Sequence, residues 1–381
     1  MSLSLAYVQT AFLILASDDM ITNALDARTN TGMIGALLTP ENRQHATQTR
    51  LANDNGSGHI REVRVAAKQR LTLADNPDLE MDGCDWGSEM PYIEETVTIN
   101  NQVAQSFTIS EAQIRLYPDL VTRLQTITGS KIPAQMVTIG RGMPEGRQII
   151  QAIREITLNL QLSMDSLVQK LNVALVNDFV TKVGKWRGGD TTKTYAVQYP
   201  GAYASGGGSI NAGELFKFKQ DLRSQMLMGN AHTISGFGAL DRVVAQNQQY
   251  FGQGANGVEY GSLVTNANLV SRYFVDQNIV DILGSENDAL IFMPGSANFL
   301  PWLKYVGSFG QIGTMMRFTM PCPLVPGLEL DVKILPSECD EIYQVKFGTH
   351  FELYIPEMEL FKDTDYLTGV NGTFQAAFTQ A

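Results

Sequence analysis

PEGRQIIQAIREITLNLQLSMDSLVQKLNVALVNDFVTKVG, Pro144 to Gly184, is the stretch on which the reading of this chain turns. From Arg147 to Val183 it holds no glycine or proline. Apolar residues recur at Ile149, Ile153, Ile156, Leu160, Met164, Leu167, Leu171, Leu175 and Phe179. Steps of three and four place them on one stripe of an amphipathic helix. Pro144 suits a first helical position, and Glu145 suits the positive end of the helix dipole. Lys182 and Lys185 suit the other end, with Gly184 as the stop. The spacing predicts a helix over Glu145–Val183, roughly 55 Å long at 1.5 Å per residue. That exceeds the span of a small compact domain. It leads us to expect an elongated subunit whose neighbours cover what the helix cannot bury itself.

Working outward, the 381 residues are enough for two or three ordinary domains or one elaborated one. With 44% hydrophobic residues there is material for a real core. Charged residues make up only 18%, and Asn, Gln, Ser and Thr fill many polar positions instead. Such a surface costs less to desolvate than a charged one, which suits extensive subunit contacts. The net charge of -11 argues against a dedicated nucleic-acid binder, though not against a container for nucleic acid. Cys84, Cys322 and Cys339 are widely spaced and odd in number, so neither a disulfide framework nor a zinc pattern is expected, and assembly in a reducing cytoplasm is. The apolar run Ala11–Ala16 has no basic start and meets Asp18 and Asp19 at once. It is too short for a membrane span and ill-suited to a signal peptide, so no membrane role is expected.

Residues 1–54 read as an arm, ending in a loop over Asn53–Gly58. Beyond it, Val63, Val65, Ala67, Leu71 and Leu73 alternate with Glu62, Arg64, Lys68 and Arg70, a half-buried strand. Ile93, Val97 and Ile99 alternate in the same way with Glu94, Thr96 and Thr98. Residues 71–100 contain no Lys or Arg, so the excursion is a charge-segregated hairpin with a basic strand and an acidic tip. A lone two-stranded hairpin is marginal in water and needs another surface. Ser110 with Gln113 forms a capping-box pattern for a short helix cut by Pro118, and Met136–Ile139 resembles a strand. Trp186–Gly208 reads as a flexible loop, Asn211–Met228 and Asp241–Phe251 as helices, and Ala289–Met293 as a buried strand. Pro294-Gly295-Ser296 reads as the start of a helix carrying Phe299, Leu300, Trp302, Leu303 and Val306. At the C-terminus, Tyr343, Val345, Phe347, Phe351, Leu353 and Ile355 alternate with polar residues. Asn371-Gly372 is a hairpin signal that would join Met358–Leu367 to Thr373–Phe378.

Chemistry is sparse. His45, His59, His232 and His350 stand apart from one another and from the cysteines, and read as surface or turn histidines, with His350 interrupting a strand. No nucleophile elbow, zinc-protease motif, phosphate-binding loop or dinucleotide fingerprint is present, so no catalytic residue and no cofactor is expected. The run Asp78-Leu-Glu80-Met-Asp82-Gly83-Cys84-Asp85-Trp-Gly-Ser-Glu89 nearly matches a calcium loop, with oxygen ligands at Asp78, Glu80, Asp82 and Glu89. Glu80 is a methylene too long, Asp85 replaces an apolar residue, and Pro77 and Pro91 oppose flanking helices, which excludes an EF-hand. The competing reading is a solvated acidic tip that pairs with basic residues of a neighbour. Arg61, Arg64, Lys68 and Arg70 on one side, and Asp75, Asp78, Asp82 and Asp85 on the other, are then inter-subunit contacts. A nucleic-acid stripe at those four cations lacks aromatic interleaving.

The order of these segments resembles that of tailed-bacteriophage major capsid proteins of the Hong Kong 97 fold, a fold shared with encapsulins. The closing passage PEMELFKDTDYLTGVNGTFQAAF looks like the last strands of such proteins. The resemblance implies an α+β Hong Kong 97-like capsid fold. Its parts would be an N-arm at 1–54, an extended hairpin E-loop at 55–109, a P-domain at 110–185 with the spine helix at 145–183, an α/β A-domain at 186–336, and P-domain strands at 337–381. It implies a structural subunit, not an enzyme, that assembles with itself into hexamers and pentamers of an icosahedral shell. The shell would enclose double-stranded phage DNA without sequence-specific binding, behind an acidic inner wall that repels it. A separate scaffold (or none), a portal and decoration proteins are the partners implied, with assembly in the host cytoplasm and the virion as destination. Some relatives crosslink through a Lys and an Asn, but nothing assigns that chemistry to Lys68. The alternatives are an encapsulin-like compartment with a protein cargo, a surface-binding protein and an unrecognised enzyme. If Asp78–Glu89 is an acidic contact and not a metal loop, the thermal midpoint of the protein will be the same in calcium as in EDTA; a calcium-dependent rise would reverse the assignment.

Overall fold

The computed structural model describes residues 32–40, 42, 48–51, 62–68, 92–110, 144–186, 188–198, 209–210, 217–218, 220–222, 231–236, 272–304, 310–312, 315–337, 342–355 and 371–380. Helices and strands are mixed, giving an α+β chain. The described residues fall into two compact units. One takes those within 100–171 and 301–351, the other those within 31–99, 172–300 and 352–381.

The long helix is present as α2, Pro144–Lys182, 39 residues and one residue earlier at each end than expected (α1, Gly32–Leu37, precedes it). Its predicted stripe is the buried one. Leu160, Met164, Leu167, Leu171, Leu175 and Phe179 are all fully shielded from water. Ile149, Ile153 and Ile156 lie where the helix's side chains fall outside the described residues. Asn159 and Gln169 are exposed and Gln161 is half-buried. So are two apolar residues exposed, Leu162 at 62% and Val173 at 38%.

The first unit is built on an antiparallel sheet. Its strands run in the order β4 (Asn101–Ser110), β14 (Ile342–Tyr354), β13 (Glu329–Ser337), β12 (Met315–Pro321) and β11 (Gly310–Ile312). The alternation read at the C-terminus is real: Val345, Phe347, Phe351 and Leu353 are buried on β14. Instead of two runs broken at His350, β14 is one continuous strand, and His350 sits inside it, edge-on to Trp302 with ring centroids 5.5 Å apart. Gly348 allows this continuity, because a Cβ there would run into the carbonyl oxygen of Val103 on β4. Phe107 packs edge-on against Phe347 across the same pair of strands, 6.2 Å between centroids.

The second unit holds two sheets. The smaller, β1 (Gln48–Leu51), β2 (Glu62–Lys68) and β3 (Tyr92–Thr98), contains the predicted hairpin with a third strand added from the arm. The larger runs β6 (Ser209–Ile210), β5 (Thr192–Gln198), β15 (Thr373–Gln380), β9 (Asp288–Phe292), β7 (His232–Ser235) and β8 (Arg272–Val275). Trp186, Tyr195, Phe218, Phe374 and Phe378 form its aromatic core, with Trp186 stacked on Phe374 at 4.7 Å and Tyr195 edge-on to Phe218 at 5.0 Å. The segments expected at 55–109, 186–336 and 337–381 each contribute strands to sheets of both units.

Several expectations are corrected. Part of the supposed loop Trp186–Gly208 is β5, because Thr and Tyr are strand formers and β15 offers a parallel partner edge. The helix expected after Pro294 is instead β10, Asn298–Trp302. Pro301 could not sit in a helix interior without losing a backbone bond, and it biases Leu300 towards extended backbone. Asn371-Gly372 does make a turn, with Gly372 at φ 82°, where only glycine is at ease. The strand that follows pairs with β5 and β9, however, so from Gln375 to Ala377 both its edges are taken. Met358–Leu367, outside the described residues, is therefore not its ladder partner there. Of the expected helix Asn211–Met228, residues 217–218 and 220–222 are helical. Asp241–Phe251, Met136–Ile139 and the helix after Ser110 lie outside the described residues.

Two substitutions check this packing. Leu167→Ala should destabilise the protein by about 2–5 kcal/mol and the exposed Leu162→Ala by no more than about 0.5 kcal/mol, read from urea unfolding. Gly348→Ala should cost at least as much as Leu167→Ala, because backbone and not a side chain must give way.

Candidate assembly surface

Of the residues chosen from sequence for subunit contact, Arg64 and Lys68 lie on a strand of the three-stranded sheet. Its register is set by Arg50↔Arg64 between β1 and β2, and by Val63↔Val97, Arg64↔Thr96 and Lys68↔Tyr92 between β2 and β3. Period two then sorts the positions into two faces. One set of register positions holds Val63, Val65 and Ala67 with Leu51, Thr49, Ile93, Glu95 and Val97. The other holds Glu62, Arg64, Ala66 and Lys68 with Gln48, Arg50, Tyr92, Glu94, Thr96 and Thr98. Val63 is buried, Val97 is half-buried, and Thr96 and Thr98 are exposed. In the described ladders, β1, β2 and β3 form a sheet of their own.

Arg64 and Lys68 occupy alternate register positions of β2. Arg61, Arg70, Asp75, Asp78, Asp82 and Asp85 lie outside the described residues, as do Glu80 and Glu89 of the calcium-loop reading. Among the described residues, no three His, Cys, Asp or Glu side chains are grouped to hold a metal ion. Cys322 is buried, and burial pushes its thiol up to about 11, which keeps it protonated and unreactive at neutral pH. No described helix is long and apolar enough to cross a membrane.

A second feature had no signal in the sequence. Residues 32–42, read as arm, are held as core. Met33, Ile34 and Ala36 of α1 are fully buried. The first N–H groups of a helix need partners, and here they come from distant side chains. Met33 N–H donates to Asp276 Oδ2 at 2.9 Å and Ile34 N–H to Asn172 Oδ1 at 2.9 Å. Asn278 donates its backbone and side-chain N–H to Asp276 Oδ1, at 3.1 and 2.7 Å. Asn42 closes the far end, donating to Leu37 O and Ala297 O and accepting from Gly295 N–H. His232, expected at the surface, is fully buried, with Nε2 3.4 Å from Thr39 Oγ1. Its Gly/Ser-rich neighbourhood misled the reading because β7 is the inner strand between β9 and β8. Burial holds the Asp276 carboxyl above its ordinary range, against the hydrogen bonds from Met33 and Asn278 that pull it down.

No protein-family model and no curated protein sequence matches the chain. Its structural neighbours are phage proteins, chiefly phage capsids. The capsid of Ralstonia phage GP4 is 12% identical, covering 84% of each chain at a TM-score of 0.39. The head structure of Helicobacter pylori bacteriophage KHP40 is 9% identical, covering 84% of each at 0.37. A structure from Mycobacterium phage Che8 is 9% identical and covers 88% of this chain and 92% of its own, at 0.35. At such identities and TM-scores the likeness assigns no family.

The anchor of α1 gives a test with a defined sign. Ionising Asp276 costs more in the folded chain than in the unfolded one. The stability of the wild type relative to Asp276→Asn will therefore be greatest below about pH 4, fall as pH rises to the raised folded value, and stay constant beyond it. Urea unfolding of both proteins across that range measures it; a wild-type advantage that grows with pH would contradict the assignment.

Proposed function

We propose that this chain is the major subunit of a phage capsid, assembling with itself into hexamers and pentamers of a closed icosahedral shell around double-stranded DNA. The observation that carries the reading is the β1–β2–β3 sheet, whose described strands form a sheet separate from the two larger ones. A sheet this small is marginal alone in water, and a second copy of the chain supplies a further surface for it to lie on.

Three further properties support this. α2 runs for 39 residues and leaves Leu162 and Val173 exposed, as a beam over which a neighbour's segment is laid would. The surface is rich in uncharged polar residues, which are cheap to bury at repeated contacts. The stretch 71–100 carries only acidic charge and meets the basic positions Arg64 and Lys68 of β2 in sign. In this reading, residues 1–54 are the N-arm, 55–109 the E-loop, 145–183 the spine, 186–336 the A-domain, and 110–185 with 337–381 the P-domain. Interfaces that are individually modest become stable when symmetry repeats them. A scaffold, a portal and decoration proteins are the natural further partners, and the virion is the destination.

Negative-stain microscopy of concentrated protein should show closed shells or their five- and six-membered capsomers. A lone monomer at every concentration, with or without a phage scaffold protein, would refute the proposal. Lys68 and Tyr92 are directly paired, so residues 69–91 can be replaced by Asn-Gly, the two-residue turn that suits such a ladder. That variant should fold with an unchanged thermal midpoint and fail to assemble.

A further inference from the structure

In the first unit's sheet, the face carrying Phe318, Val332, Ile334, Val345, Phe347 and Val103 is the buried one. Alternation puts Arg317, Lys333 and Lys346 on the other. They are also in register: Arg317 is opposite Lys333, Lys333 opposite Lys346, and Lys346 opposite Ser106. Three cations therefore stand in one row across β12, β13 and β14. With strands about 4.8 Å apart, the row is about 10 Å long. Like charges directly opposed across strands destabilise a sheet, and here the opposition occurs twice in succession. Lys333 responds to it: burial lowers its pKa, and Arg317, Lys346 and Lys304 lower it further. No acidic residue stands in the row. The carboxylate nearest along β13, Asp331, accepts hydrogen bonds from Lys304 N–H at 2.6 Å and Thr319 Oγ1 at 3.1 Å.

What flanks the row is as informative as the row. At one end stands the exposed Ser106, and in the next rank the exposed Gln344 lies between the exposed Thr108 and the half-buried Leu335. Positive side chains with hydroxyl and amide donors around them are the groups that hold phosphate oxygens. Neither that rank nor Thr319, Asp331, Gly348 and Ala104 on the other side includes an aromatic residue on which an unpaired base could stack.

We propose that the Arg317–Lys333–Lys346 row binds the phosphate backbone of double-stranded nucleic acid without reading its sequence. The inference deepens the shell reading, which supplies the duplex, and names the point of contact on a chain whose net charge of -11 otherwise repels it. Contact at a few such rows would hold a duplex weakly and reversibly, which a packed and later released polymer requires.

The test is fluorescence anisotropy of a labelled random-sequence duplex with the full chain, at rising sodium chloride. Binding should weaken with salt, and Arg317→Gln/Lys333→Gln/Lys346→Gln should reduce the slope of log K against log salt by about 2.7. The exposed Lys346→Gln alone should reduce it by about 0.9. If the triple variant does not fold, the single variant decides. Lys170→Gln/Lys185→Gln/Lys217→Gln, with the same change in net charge elsewhere, should leave the slope as it is. Wild-type protein that binds no duplex at low salt, or equal losses in the two triples, would overturn the inference. So would a row variant that binds duplex normally and fails only to assemble, since the row would then be a contact between copies. Protein that binds duplex through the row yet never forms shells would leave this inference standing and remove the shell reading. Shells built of protein that does not bind duplex would do the reverse.

Discussion

Between Leu160 and Phe179, every third or fourth side chain of α2 is withdrawn from water, each such burial being worth about 1.5–3 kcal/mol. The residues up to Leu171 count with one compact unit and those from Asn172 with the other. Phe179 reaches Phe292 of β9 at 6.2 Å between centroids. At its C-terminal end Lys182 Nζ donates to Glu352 Oε1 at 2.7 Å and to Leu353 O at 2.8 Å. Gly184 N–H then donates to Thr373 Oγ1, tying the helix exit to the first residue of β15. Moving the helix would break a hydrophobic core and a polar seam together.

Polar groups in that seam are satisfied over long sequence separations. Asn172, on the helix itself, accepts from α1. Asp276 and Asn42 complete the same anchor, and Trp186 Nε1 donates to Gln375 O at 2.8 Å. A buried polar group without a partner is expensive, so these bonds specify one arrangement more than they add to its net stability. Segment 32–42 is held inside the fold by them despite its ordinary sequence. A capsid reading gives this anchoring a use: an arm that leaves from a fixed point can present its remaining length to a neighbour.

Charge is distributed with a comparable logic. The chain is acidic overall, yet cations are placed directly opposite cations in two sheets, Arg50 with Arg64 and Arg317 with Lys333 and Lys346. Partners of two kinds follow from the shell proposal, carboxylates of another copy at the first place and phosphates at the second.

The helix α2 and the alternation on β14 were legible because their signals are local: a 3.6-residue or two-residue period buries one face whatever it packs against. The buried strand β9 and the basic-then-acidic hairpin were legible for the same reason, and with them the order of segments on which the functional reading rests. The sequence was silent or misleading wherever a partner arrives from far along the chain. α1 is ordinary until Asp276 and Asn172 cap it, β5 looks like a loop until β15 lies beside it, and Asn371-Gly372 announces a turn but not that β15 will pair with β5 and β9. The cation row of β12, β13 and β14 is invisible as well, since Arg317, Lys333 and Lys346 become neighbours only through strand register. Periodicity is a property of the chain alone, and it determined which faces are buried. Pairing is a property of edges brought together in space, and only the tertiary structure decided which charges meet.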